Sequence, residues 1–284
     1  FAQATVVSQS STAVANTMPA GGALALGVSY RFYGSWGYSR AVITRNVVVT
    51  GIWNVFAKLA MPVIALALIA ITGEVSTALI AAAIAGLVVL AIAIAVGSLA
   101  LASETGARRV GELAGPFAGW VNRRLRRPAP TDTGATAVLF RRDTIGLLRD
   151  RGGRLTAAMV LSHVSVFLVL LWSLRAVGVS AGEVGWIEVL AAYAMARLFS
   201  AVPVTPGGVG LVELGLAGAL IAVGGPHAGV VAGVLVFRAL SFFLPLPFGL
   251  ATYLVWRNEA SWRRPVVAAA ALGISRERIP ELRS

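Results

Sequence analysis

Four ionisable side chains interrupt the apolar runs of this sequence: Lys58, Arg197, Glu213 and Arg238. A charge at the centre of a bilayer costs roughly 2.5–3.5 kcal/mol on insertion scales, so such residues face a protein interior or a water-filled cavity. Arg197 and Glu213 bracket a break in the pattern. The stretch "FSAVPVTPGGVGLVELGLAGAL" (199–220) carries two prolines and two adjacent glycines where a membrane helix would want neither. A helix restarting after Gly208 presents unpaired backbone N–H groups and the positive end of its dipole. Pro206, Gly207, Gly208 and Gly210 form the break, and glycine lets a ligand come close to the backbone. A site of this type takes phosphate or carboxylate. Beside Arg197 and Arg238 the natural guest is an anionic lipid headgroup. Glu213, about one turn into the new helix, either neutralises Arg197 or Arg238 or holds a cationic amino group on the lipid.

These residues need elements that place them inside a membrane, and the composition supplies them. Hydrophobic residues make up 57% of the chain and charged residues 13%. Residues 47–72, 77–101, 155–176 and 229–256 are each long and apolar enough to cross a bilayer, which takes ~20 residues. The expectation is an all-α, polytopic integral membrane protein. Cysteine is absent, which excludes disulfides and thiol chemistry, and the two histidines lie far apart, so neither a metal nor another cofactor is expected. The chain opens on Phe1 within an apolar segment that does not read as a signal peptide, which suggests further helices upstream.

The net charge of +12 does not point to nucleic acid. Apart from Arg175, Arg197 and Arg238, every arginine falls in 31–45, 104–154 or 257–283, each flanking an apolar run. The positive-inside rule makes all three cytoplasmic, with attraction to anionic headgroups as a further effect. Bacterial inner membrane and a cytoplasmic C-terminus follow as expectations. Residues 186–224 must then begin and end outside. Their two halves are short, which favours a re-entrant hairpin over two full spans, since irregular backbone at membrane depth survives only when buried or lining a wet cavity.

The chain start shows a related pattern. "PAGG" (19–22) separates two short apolar segments, and the break 16–22 would approach the midplane from the opposite face to 203–210. Paired Gly/Pro-interrupted segments are the pointer to an inverted-repeat fold. The single membrane domain then reads as a first half (1–103), a basic amphipathic loop (104–154), a second half (155–256) and a tail (257–284). In the loop, Val110, Leu113, Ala114, Phe117, Val121 and Leu125 recur at helical spacing, the mark of an interfacial helix; "RPAPTDTG" reads as a linker.

"PVTPGGVGLVELGLAGAL" with the following "VLVFRALSFFLPLPFGLATYLVW" resembles the membrane domain of bacterial lysylphosphatidylglycerol synthases and their stand-alone flippase-like relatives. The family's Pro-Gly-Gly-x-Gly-x-x-Glu signature and following arginine map onto Pro206, Gly207, Gly208, Gly210, Glu213 and Arg238. Its upstream asparagine, Pro-x-Gly-Gly and arginine resemble Asn16, Pro19, Gly21, Gly22 and Arg31. The resemblance implies a membrane phospholipid or polyprenyl-linked lipid as substrate, in the best-known cases an aminoacylated lipid moved between leaflets. The aminoacyltransferase domain of the full synthases is not represented in this sequence, so no enzymatic activity is expected of it. Two other readings stay open: a lipid-binding scaffold for a partner enzyme or a homo-oligomer, and an intramembrane transferase on a lipid-linked substrate, for which no carboxylate cluster is found. No Gly-rich nucleotide loop is present to support ATP-driven movement.

Overall fold

The computed structural model describes residues 1–18, 21–72, 77–124, 132–199 and 208–262; Pro19, Pro206 and Gly207 lie outside them, as do residues 73–76 and those beyond 262. Among the described residues the chain is helical, with no strand. Ten α-helices follow in order: α1 (Ala2–Thr17), α2 (Gly21–Ser35), α3 (Arg40–Thr72), α4 (Thr77–Ala102), α5 (Glu104–Arg124), α6 (Thr133–Ala176), α7 (Trp186–Phe199), α8 (Leu211–Ala222), α9 (His227–Arg238) and α10 (Pro245–Asn258). A π-helical turn, Ala239–Phe243, joins the last two.

Arg40–Ile71, Thr144–Ala176 and His227–Asn258 are long and apolar enough to cross a bilayer, and α4 is helical over the fourth expected run. Burial supports a lipid environment. Only 11%, 17% and 33% of the most apolar windows of the three spans are buried within the protein. Ile64, Ile71, Leu161, Leu235 and Leu250 are among the exposed apolar side chains. Water would not sustain so much bare hydrocarbon surface.

Helix α6 departs from the expected arrangement. It runs unbroken for 44 residues, roughly 66 Å at 1.5 Å per residue. The second part of the expected loop is therefore helix, continuous with the span. Asp132 caps its start, its side chain accepting from the Ala135 N–H at 2.7 Å, and Gly152 and Gly153 do not break it. Helix α5 packs against α4 and α6. A Cβ on Gly111 would strike Thr133 and Ala137, so glycine brings these helices together there. Leu113, on another side of α5, is 82% exposed.

The main core joins α6 to α9. Leu170 and Leu174 of α6, Val189 and Tyr193 of α7, Val212, Leu216 and Leu220 of α8, and Val230 and Val234 of α9 fill it. Their four-residue spacing puts one face of each helix inward. A smaller cluster holds α1 and α2 on α10: Val6, Val7, Phe32, Trp36 and Trp256, with the Phe32 and Trp256 rings stacked at 4.4 Å. Helix α1 also meets α10 through small residues. Ser10 Oγ donates to the Gly249 carbonyl at 3.2 Å, and Gly249 has no room for a Cβ because Ala13 occupies it.

Candidate functional site

Helix α8 starts at the second break. Gly208 and Gly210 have φ of +71° and +85°, left-handed values that favour glycine, and they turn the chain into the helix. The Leu214 N–H bonds to the Gly210 carbonyl at 3.0 Å, the first bond of the helix. Leu211, Val212 and Glu213 therefore have N–H groups without an intrahelical acceptor. Glu213 Oε2 accepts from the Gly210 N–H at 2.8 Å, the reciprocal half of a capping box.

The other oxygen of Glu213 reaches Arg238. Arg238 Nε lies 2.6 Å from Glu213 Oε1, with the two side chains 10% and 23% exposed. The expectation that Glu213 neutralises Arg197 or Arg238 thus resolves to Arg238. Both carboxylate oxygens are engaged, so taking a lipid amino group would mean exchanging partners. The Arg238 guanidinium also lies over the Phe242 ring, 4.5 Å from its centroid, a cation–π arrangement.

Phe242 belongs to the π-helical turn that follows. There the Leu244 N–H reaches back to the Ala239 carbonyl at 2.9 Å. Pro245 and Pro247 withhold N–H groups from carbonyls of the preceding turn. In this disturbed turn the Phe242 carbonyl accepts from Asn16 Nδ2 at 3.1 Å. Asn16 stands in the last turn of α1, at the edge of the first break. An unbroken chain of contacts therefore runs from one break to the other: Gly210, Glu213, Arg238, Phe242, Asn16.

Not every expected residue joins this chain. Gly21 closes the α1–α2 turn, where a Cβ would collide with the Ala15 carbonyl, while a Cβ on Gly22 would meet nothing within 4 Å. Arg31 sits elsewhere: its guanidinium lies 5.8 Å from the Trp256 ring. Trp256 is 18 residues beyond Arg238, roughly 25 Å along the helix. Arg197 stands in the last turn of α7, which packs on α3. Arg175 serves the loop between α6 and α7, donating to the carbonyls of Val179, Ser180 and Val184.

Phe242 and Ser241 escaped the sequence reading. Ser241 Oγ is buried and has no hydrogen-bond partner among the described residues. The signal was present in "FFLPLP", because two prolines spaced by one residue inside a spanning run disturb the helical ladder one turn earlier. His163, bonded to Asn54 at 3.1 Å, also went unassigned.

Interrupted helices meeting inside an otherwise helical bundle, with a paired carboxylate and arginine among apolar walls, define a polytopic membrane protein. The chain matches the family model for the lysylphosphatidylglycerol synthase TM region over residues 1–249 and belongs to that family. Its role is accordingly lipid-related. No curated protein and no solved structure matches it in the corresponding searches.

Proposed function

We propose that this protein is a flippase-like translocase, passing an anionic or aminoacylated lipid headgroup through the region where its two interrupted hairpins meet. The carrying observation is the contact chain from Gly210 through Glu213, Arg238 and Phe242 to Asn16. Helices of 16 and 15 residues in the first hairpin, and 14 and 12 in the second, span roughly 18–24 Å each. A bilayer core is ~30 Å thick, so each hairpin enters and returns on one side, the first from the cytoplasmic face and the second from the outer face. The breaks then meet near the midplane. A phosphate docks at the free N–H groups of α8 and at Arg238, displacing Glu213, which in turn takes an amino group on the headgroup. Acyl chains stay in the bilayer. Among the described residues Glu213 is the site's one carboxylate and it is already paired, which favours transport over general acid–base catalysis. The protein sits in the bacterial inner membrane with its C-terminus cytoplasmic.

Proteoliposomes carrying fluorescent phosphatidylglycerol, or its lysylated form, test this by bleaching from outside. Wild type should expose inner-leaflet label faster than empty liposomes, and Arg238→Ala and Glu213→Gln should both lose the effect while remaining monodisperse in detergent. Wild-type protein no faster than empty liposomes across these headgroups would remove the proposal and favour a lipid-binding scaffold.

A further inference from the structure

Where α6 leaves its apolar stretch, four helices line a half-open cavity of about 320 Å³. It is lined by α3, α4, α5 and α6, and none of α7 to α10 contributes, so it is separate from the Glu213–Arg238 site. Ile52, Phe56, Ile94, Leu101, Val110 and Phe140 make its walls apolar. The volume lies in the range of ligand pockets, roughly 300–1,000 Å³.

One polar group inside is unsatisfied. Thr144 lines the cavity and is 4% exposed, and its hydroxyl has no partner among the described residues. A helical threonine ordinarily returns its hydroxyl to the carbonyl four residues back. Thr17, Thr44, Thr50 and Thr136 all do so here, at 2.7–2.8 Å. Thr144 does not. A buried hydroxyl left without a partner is costly, and this one belongs to a residue of the cavity wall, a side-chain rotation from an acceptor placed there.

Arg141 also lines the cavity, three residues before Thr144 and so on the same side of α6. Its Nε and Nη2 donate to the Leu101 and Ala102 carbonyls at 2.9 and 3.3 Å, closing the C-terminus of α4. A guanidinium has five N–H groups, so further donors remain for an anion. The surrounding stretch 104–154 is strongly basic. Apolar walls, one hydroxyl donor and one cation a helical turn apart describe a particular ligand. In a glycerophospholipid the ester carbonyl lies a few bonds from the phosphate, and the acyl chain leads away from both.

We propose that this cavity is a binding site for one acyl chain of an anionic glycerophospholipid, with the ester carbonyl accepting from Thr144 and the phosphate meeting Arg141. The lipid fills the space between the four helices and fastens α5 to the spanning helices. It is a resident ligand, not cargo of the proposed translocation path.

Native mass spectrometry of the full chain in dodecyl maltoside, titrated with phosphatidylglycerol or with phosphatidylcholine of the same acyl chains, tests it. Wild type should retain one tightly held phosphatidylglycerol in preference to phosphatidylcholine. Thr144→Val keeps the shape, melts no lower than wild type, and should hold that lipid about fivefold more weakly, the loss of one hydrogen bond. Ala100→Phe, which fills the cavity from α4, should abolish it. Equal retention by wild type and both variants would overturn the proposal. So would equal affinity for phosphatidylcholine, or a site that holds detergent which phosphatidylglycerol does not displace.

Discussion

Helices α7 and α8 pack into the main apolar core, whereas hairpin α1–α2 is held on one side of the bundle against α10. Helix α8 buries Val212, Leu216 and Leu220 at 6% exposure or less, and it contributes a charged pair at its first turn. Helix α1 contributes no charge. It meets α10 through Ser10, Ala13 and a neutral amide, with aromatic rings closing the far end. The same task, holding an interrupted helix, is done in one hairpin by apolar packing plus an ion pair and in the other by close approach of small residues plus one hydrogen bond. The two should therefore answer to different mutations.

The largest effect is expected at the ion pair. Arg238→Leu strands the Glu213 carboxylate in a partly buried place and should lower stability by about 3 kcal/mol, seen as a fall in melting temperature in detergent. Glu213→Gln combined with Arg238→Leu should recover most of that loss. A double variant as unstable as the single one would mean that the pair is not what holds α8 to α9. The glycines come next. Gly210→Ala puts an L side chain at φ +85° and should cost roughly 1–2 kcal/mol, while Gly22→Ala, with open space around it, should change stability little. Equal effects at the two glycines would erase the contrast between the hairpins.

Asn16→Ala leaves the Phe242 carbonyl without its side-chain donor and should cost about 1 kcal/mol, less than the ion pair and confined to the α1–α10 contact. Hydrogen exchange should quicken in α1 and leave α8 unchanged. The smallest effect lies in the loop between α6 and α7. The N–H and hydroxyl of Ser180 hold the exposed Glu183 carboxyl below its ordinary value of 4.5. A depressed carboxyl stabilises the fold above that value and loses its contribution as pH falls through the lowered one. Exchange at the Ser180 amide, corrected for its intrinsic pH dependence, should rise on acidification below 4.5 in wild type, and Glu183→Gln should abolish that dependence.

Much of this architecture is legible in the sequence. Hydropathy alone marked the spanning runs, because a bilayer demands ~20 apolar residues in succession. The prolines and glycines marked both interruptions, since each removes or relaxes a backbone constraint that a helix needs. Glu213 and Arg238 stood out because a charge at membrane depth requires a partner. Helix α6 was harder to read: arginines and paired glycines in 141–154 suggested a loop, yet its i→i−4 ladder continues through them into the span. Periodicity in a polar stretch is weak evidence when the helix is supported by a neighbour, and that neighbour is α5, brought close by Gly111.

The sequence by itself determined the membrane, the helices, the positions of the two breaks and the residues that had to find partners, because each of these follows from local chemistry in an apolar solvent. Only the tertiary structure decided who the partners are. Glu213 takes Arg238, Asn16 crosses to the Phe242 carbonyl, Arg31 turns away to Trp256, and the buried Thr144 hydroxyl finds no partner among the described residues. Those choices depend on which helices lie side by side and in what register. Packing sets that across the whole chain, and no window of the sequence contains it.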